Sequence, residues 1–282
     1  MTLTVYLLNA FAKTPLGGNP AGVVAEGSAL SEQQMQKAAG IVGVSETAFL
    51  LPSSAASRRV RFFTPVAEVP LCGHATIASF SFLFQKALIK SGVHSQETKS
   101  GILGIEIAPD GIVFMKQCEP IFSEIVPREE ILHALNLSTE DLCRDLPAQV
   151  VSTGLRDVIV PVNSLRALTC LRPDFEVVAA LCRKYRAVSL HPFTLETKNN
   201  STAHCRDFAP LYGVNEESAT GTASGALACY LRHHAAVNCA EMVFEQGYSM
   251  DRPSEILARF DSAGSVWVGG IAVSSGKMEV EL

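Results

Sequence analysis

Residues 61–76, RFFTPVAEVPLCGHAT, return in altered form as residues 206–224, RDFAPLYGVNEESATGTAS. Arg61-x-Phe63-x-Pro65 recurs as Arg206-x-Phe208-x-Pro210. Three residues out of step with it, Glu68-x-x-x-Cys72-Gly73-His74-Ala75-Thr76 recurs as Glu216-x-x-x-Thr220-Gly221-Thr222-Ala223-Ser224. Two matched pieces in the same order point to a chain made of two related halves, each placing a small-residue glycine turn at the start of a buried helix. Such a turn leaves backbone N–H groups unpaired in front of the positive end of a helix dipole, which suits an anion. Close packing of small residues is the competing explanation of either copy alone; the recurrence favours a site. Two facing turns would hold a small carboxylate from both sides.

Working outward, the first hundred residues alternate strand and helix signals. TLTVYLLNAF and PAGVVAE are strand-like, Ser31 and Gln34 form a capping box for a helix over Ser31–Ala39, and Thr47–Leu51 is a strand closed by Pro52. GHATIASFSFLFQKAL reads as a helix buried on most sides, and Asp110-Gly111 is a hairpin turn between LGIEIAP and GIVFMKQ. The second half shows helices at Pro127–Leu135 and Pro173–Arg183 and strands at QVVS, DVIVPV, MVFEQG and SVWVGGIAV. We expect an α+β fold of two similar lobes, each a mostly antiparallel, barrel-like sheet around a central helix. The lobes are placed at residues 1–115, possibly completed by 266–282, and 120–265.

The chain has 282 residues, 48% of them hydrophobic, enough for two cores. Its 23 basic and 28 acidic residues give a net charge of -5 without a basic stripe, so nucleic acid and anionic membrane are not expected partners. No segment reaches the roughly 18 apolar residues of a membrane span, and the N-terminus lacks the basic start of a signal peptide; a cytoplasmic protein is expected. The eight cysteines form no CxxC pair and most lie in apolar runs, so buried free thiols are expected rather than disulfides. Neither HxxxH nor HExxH occurs, and neither a dinucleotide-binding nor a phosphate-loop motif is present, so no metal or cofactor is expected.

The stretches LLNAFAKTPLGGNPAGVV, VSETAFLLP, RFFTPVAEVPLCGHATIAS, RDFAPLYGVNEESATGTASGA and FEQGYSMDRPSEI resemble, in order and across nearly the whole chain, the motifs of the phenazine-biosynthesis PhzF-type isomerases, which share the two-lobed fold of diaminopimelate epimerase. The resemblance implies that Glu46 is the acid/base, with Ser45 beside it. His74 would face the substrate and Gly73 lend an N–H, while Gly221 and Thr222 would supply the opposite cradle. Glu217 takes the place of an acidic residue facing the cleft, where the family usually has Asp followed by Pro. A homodimer is also implied.

Related epimerases use two facing cysteines. Here Cys72 stands in the first turn but Thr220 in the second, and a threonine hydroxyl is no base near neutral pH. Cys72 is therefore read as a packing residue and Glu46 as the proton-moving group, its pKa expected to rise toward neutrality by partial burial. The expected function is a cofactor-independent isomerase acting on a small carboxylated metabolite. An amino-acid or hydroxyproline epimerase or dehydratase on the same fold, and a non-catalytic anion-binding protein, remain as alternatives.

Overall fold

A computed structural model of the chain describes residues 1–12 and 14–282. The chain divides into two compact units, residues 1–116 with 269–282, and residues 117–268.

The first unit contains β1 (Thr2–Ala10), β2 (Asn19–Val24), α1 (Glu32–Val42), β3 (Glu46–Leu51), β4 (Arg58–Phe63), β5 (Glu68–Val69), α2 (Gly73–Gln85), β6 (Gly92–Thr98), β7 (Gly101–Ile107), β8 (Val113–Lys116) and the chain's last strand, Ala272–Glu281. β1 lies antiparallel to β2 and to the last strand, β2 runs parallel to β3, β3 antiparallel to β4, β4 parallel to β6, and β6–β7–β8 form an antiparallel meander. α2 is buried at every position from His74 to Leu83 and lies against β1, β2, β3, β8 and the last strand, as its unbroken small and apolar sequence demands. α1 covers the sheet with Met35, Ala38, Ala39 and Val42 packed among Val5, Val24, Phe49 and Phe63.

The second unit contains β9 (Ile121–Ile125), α3 (Arg128–Leu135), β10 (Gln149–Ser152), β11 (Arg156–Pro161), α4 (Leu165–Thr169), α5 (Phe175–Tyr185), β12 (Ser189–Thr194), β13 (Ala203–Cys205), α6 (Gly221–His233), β14 (Glu241–Gln246), β15 (Ser254–Phe260) and the first three residues of β16 (Val266–Gly270), whose last two belong to the first unit. Its pairings repeat the alternation of the first unit: β10 antiparallel to β11, β11 parallel to β12, β12 antiparallel to β13, β13 parallel to β14, β14 antiparallel to β15. The helices fall in matching places too. α6 follows β13 as α2 follows β4 and β5, and it is buried at Gly221 and from Ala223 to Leu231. The register allows residue-level matching, because Thr47 pairs with Phe63 where Leu190 bridges to Phe208. Glu46 then corresponds to Ser189, and its parallel partner Ala21 to Asp157.

SVWVGGIAV is not one strand. It is divided at Ile271 between β16 and the last strand. All eight cysteines are free, as expected, but only Cys72, Cys182, Cys205 and Cys229 are buried, while Cys118, Cys170 and Cys239 sit exposed in connections. Among the described residues no helix is long and apolar enough to cross a membrane.

Candidate active site

In the first unit, three residues from two elements meet. α1 ends at Gly43, whose φ of 70° is available to glycine at little cost and redirects the chain into half-buried Ser45 and Glu46, the first residue of β3. Cys72, in extended conformation, is the N-cap of α2, followed by Gly73 and His74 in the first turn. Glu46 Oε2 lies 3.1 Å from His74 Nε2, and Cys72 Sγ lies 3.4 Å from His74 Nδ1. The Asn19 side-chain amide, from the start of β2, is 3.5 Å from the same Nδ1.

Burial would raise the pKa of Glu46, but the His74 charge, with hydrogen bonding from His74 and Cys72, outweighs it and holds the carboxyl below its usual range. This corrects the expectation of a raised value. Burial alone governs only when no cation faces the carboxylate, and here one does. Burial would likewise lower the pKa of His74, yet the facing Cys72 sulfur and Glu46 carboxylate raise it well above the ordinary imidazole range. The pair is thus carboxylate and imidazolium. Burial, reinforced by Glu46, pushes the Cys72 thiol up to about 11. Cys72 therefore stays protonated near neutrality, but it is not mere packing, because its sulfur contacts the His74 ring.

The second unit builds the matching turn differently. The Thr220 hydroxyl donates to Glu217 Oε2 at 3.0 Å, and the Thr220 N–H donates to Gln246 Oε1 at 3.1 Å. The Gln246 amide in turn donates to the Glu217 carbonyl at 2.9 Å and to the Thr220 hydroxyl at 3.1 Å. Gly247 has φ of 80°, and a Cβ there would lie 2.3 Å from the Arg252 carbonyl and 2.5 Å from that of Ser218, so glycine is required. Gly221 and Thr222 open α6, with the Thr222 carbonyl accepting from the Thr153 hydroxyl at 3.3 Å.

Both turns share one backbone arrangement. Neither α2 nor α6 has a side-chain cap hydrogen bond at its N-terminus. In both, a hydroxyl one turn in, Thr76 or Ser224, donates back to the N-cap carbonyl, at 2.7 and 2.8 Å. First-turn N–H groups without helical acceptors are suited to bind an anion.

The structure therefore joins Glu46 and His74 directly, with Ser45 and Gly73 adjacent in sequence, and it places Glu217, Gly221 and Thr222 together in the second unit. Sequence reasoning assigned nothing to Asn19 or Gln246, although Gln246 lies in the quoted motif FEQGYSMDRPSEI. It also missed a fully buried polar cluster in the second unit. The Ser189 hydroxyl lies 2.9 Å from Asp157 Oδ1 and 2.7 Å from Asp207 Oδ1, and His191 Nδ1 lies 2.9 Å from Asp207 Oδ1. Ser189 and His191 are alternate residues of β12, Asp157 lies on the parallel neighbour β11 and Asp207 in the connection after β13, so only the fold brings them together.

The phenazine biosynthesis-like protein family model matches residues 8–277. An uncharacterized isomerase of Bacillus subtilis, YfhB, is 37% identical over 262 residues, covering 90% of this chain and 89% of its own length. The trans-2,3-dihydro-3-hydroxyanthranilate isomerase of Pseudomonas chlororaphis is 31% identical over 294 residues, covering 98% of both chains. A phenazine biosynthesis protein of the PhzF family from Bacillus anthracis has a crystal structure matching this one with a TM-score of 0.92, at 33% identity and full coverage of both chains. The chain belongs to the phenazine biosynthesis-like PhzF family and is an isomerase of that family.

Proposed function

We propose that this isomerase moves a proton between carbons of a small carboxylated metabolite without a cofactor, and that Glu46 takes and returns the proton. The observation that carries the reading is the Glu46–His74 contact of 3.1 Å beside the uncapped first turn of α2. A base must be ionised before it acts, and the imidazolium keeps Glu46 a carboxylate at neutral pH. On proton transfer the electron pair released from the C–H bond moves into the conjugated system of the substrate. First-turn N–H groups at Gly73 and His74 are placed to receive charge developing on a substrate carboxyl. A Cβ at position 73 would meet only Met115 Cε, at 3.6 Å. Packing does not demand glycine there, whereas close approach of a ligand to the backbone would.

The turn of Glu217, Gly221 and Thr222 in the second unit, whose α6 likewise lacks a side-chain cap, is proposed to bind a small carboxylate by its own first-turn N–H groups. The substrate class to test first is the carboxylated, partly reduced ring named for the Pseudomonas chlororaphis relative. Incubation of trans-2,3-dihydro-3-hydroxyanthranilate and related cyclic carboxylates in deuterium oxide, followed by NMR, tests the reading. Label entering a carbon other than the one that lost hydrogen supports it. Wash-in with inversion at a single carbon would make the protein an epimerase, and no wash-in with any compound that binds would make it a binding protein.

A further inference from the structure

The cluster of Asp157, Ser189, His191 and Asp207 lies outside the proton-transfer centre, and its hydrogen bonds fix a proton count. Ser189 Oγ is 2.9 Å from Asp157 Oδ1 and 2.7 Å from Asp207 Oδ1, both ordinary O–H···O separations. A hydroxyl has one proton to donate. It donates at one contact and accepts at the other, so one carboxyl must supply a proton of its own. Asp207 Oδ1 also accepts from His191 Nδ1 at 2.9 Å, which leaves the Asp157 carboxyl as the donor to Ser189. All four residues are no more than 1% exposed, so water does not complete the set from outside.

Asp207 is also the point from which the second turn hangs. Its carbonyl accepts from the Glu217 N–H at 3.0 Å, while its neighbours tie the same segment down: Arg206 forks onto Glu216, and Phe208 bonds in both directions to Leu190 of β12. One residue thus joins the buried cluster by its side chain and the Glu217 turn by its backbone. The first unit has no such cluster. Around Glu46, the match of Ser189, the positions of Asp157, His191 and Asp207 are filled by Ala21, Ala48 and Phe62, all apolar. The fold does not require carboxyls there, and burying two is costly.

We propose that Asp157 is a positioning residue for substrate binding: the proton it gives Ser189 keeps Asp207 in place, Asp207 holds the Glu217 N–H, and losing that proton loosens the turn of Glu217, Gly221 and Thr222. The consequence for binding rests on the function proposed above; the coupling of Asp157 to the turn does not. When the proton leaves to solvent, two carboxylates face each other across one hydroxyl that can donate to only one of them. Displacing Asp207 relieves the repulsion and moves the carbonyl that holds Glu217. The change falls near neutrality, since burial first and Asp207 next raise the Asp157 pKa to about 7. The other titratable groups facing the pair are His191 on β12, Glu217 before α6, Cys182 on α5 and Cys205 on β13. Both thiols are pushed up, by burial first, and stay protonated there. β10, beside β11, brings no titratable group, and α6 brings none before Cys229.

The test compares the parent with Asp157→Asn, whose amide can donate to Ser189 at every pH. Without substrate, hydrogen exchange of the Glu217 amide, followed by NMR from about pH 6 to about pH 9, should rise in the parent more steeply than base catalysis alone, and not in the variant. With substrate, the parent KM should rise by up to about tenfold per pH unit above about pH 7 with kcat unchanged, and this rise should be absent in Asp157→Asn. Should Asp157→Asn not fold, Asp157→Ala, with the residue of the matching place in the first unit, carries the same comparison. Exchange and KM that follow pH alike in parent and variant overturn the coupling. Exchange that differs while KM does not makes Asp157 a stabilising residue only and overturns its positioning role. The exchange difference in a protein that turns over no carboxylate leaves the coupling standing and removes the proposed reaction.

Discussion

Arg61 and Glu68 form a two-pronged ion pair, Nε to Oε1 at 2.8 Å and Nη2 to Oε2 at 2.7 Å, and Arg206 with Glu216 repeats it in the second unit at 2.8 Å for both prongs. Each guanidinium also lies over the phenylalanine two residues on, 5.1 Å above Phe63 and 4.9 Å above Phe208. The recurring Arg-x-Phe is thus a structural device: a strand-end arginine stacked on the core and tied to the segment that leads into the glycine turn. Fork-to-fork geometry fixes direction as well as distance.

The two pairs predict different costs. Arg61 also bonds to Glu32, and Glu68 to Lys99, so neither is left alone when the other is lost. Arg206 is buried and, among the described residues, otherwise donates only to the carbonyls of Leu168 and Leu171. Glu216→Gln should cost about 3 kcal/mol, because it leaves a buried cation without its anion. Glu68→Gln should cost about 1 kcal/mol. Urea unfolding of the two variants measures the difference, and equal losses would contradict the assignment.

Replacing Glu46 by Gln keeps size and hydrogen bonding while removing the titratable group. Turnover should fall about 100-fold or more with binding retained, the scale of a lost general acid/base. Cys72→Ala should cost less than about tenfold, since a thiol whose pKa is about 11 is not the base. Because the facing imidazolium outweighs burial at Glu46, kcat/KM should stay level from neutrality down to about pH 5, with no acidic limb near 6 to 7. A limb in that range would return Glu46 to the raised pKa that burial alone suggests.

Much of this was legible in the chain. The Ser31–Gln34 capping box forms in both directions, Asp110-Gly111 turns the β7–β8 hairpin with Gly111 at φ of 88°, and the two glycine turns begin α2 and α6 at Gly73 and Gly221. Those signals are local, so neighbouring residues state them. The direction of the Glu46 pKa was not legible, because it depends on how near His74 comes across 28 residues of chain, 74 − 46, and not on the burial of TAFLL. Nor was Gln246. Its neighbours say only that a strand ends at Gly247; its three bonds to Glu217 and Thr220 depend on where α6 starts.

Gln246→Ala removes those three bonds and leaves the turn before α6 without its brace. Stability should fall by about 1 to 3 kcal/mol. Under the proposed function the affinity for small carboxylates should fall further than stability, because the turn must hold one geometry to bind. Differential scanning fluorimetry with and without ligand separates the two effects. An unchanged ligand-induced shift would show that the turn takes no part in binding.

The buried cluster of Asp157, Ser189, Asp207 and His191 makes stability depend on pH in an uncommon direction. Burial, with Asp207 next in weight, raises the Asp157 pKa to about 7, against the lowering effect of His191 and the Ser189 hydroxyl. Glu217 adds to the rise, and Cys182 is the further titratable group, its own thiol pushed up by burial first and then by both aspartates. Asp157 Oδ2 and His191 Nε2 are buried without hydrogen-bond partners among the described residues. The folded chain thus holds a proton on Asp157 up to about pH 7, whereas the unfolded chain releases it near pH 4. Between those values the native state binds more protons than the unfolded state. Stability therefore falls as pH rises through that window, by up to roughly 1.4 kcal/mol per pH unit for this one group. Asp157→Asn imitates the neutral form at every pH. It should match the parent at about pH 3 to 4, exceed it in stability at pH 8, and show a flatter slope between pH 4 and 7, as followed by urea unfolding across that range. If the parent and the variant lose stability in parallel as pH rises, Asp157 is ionised in the native state and the cluster holds no such proton.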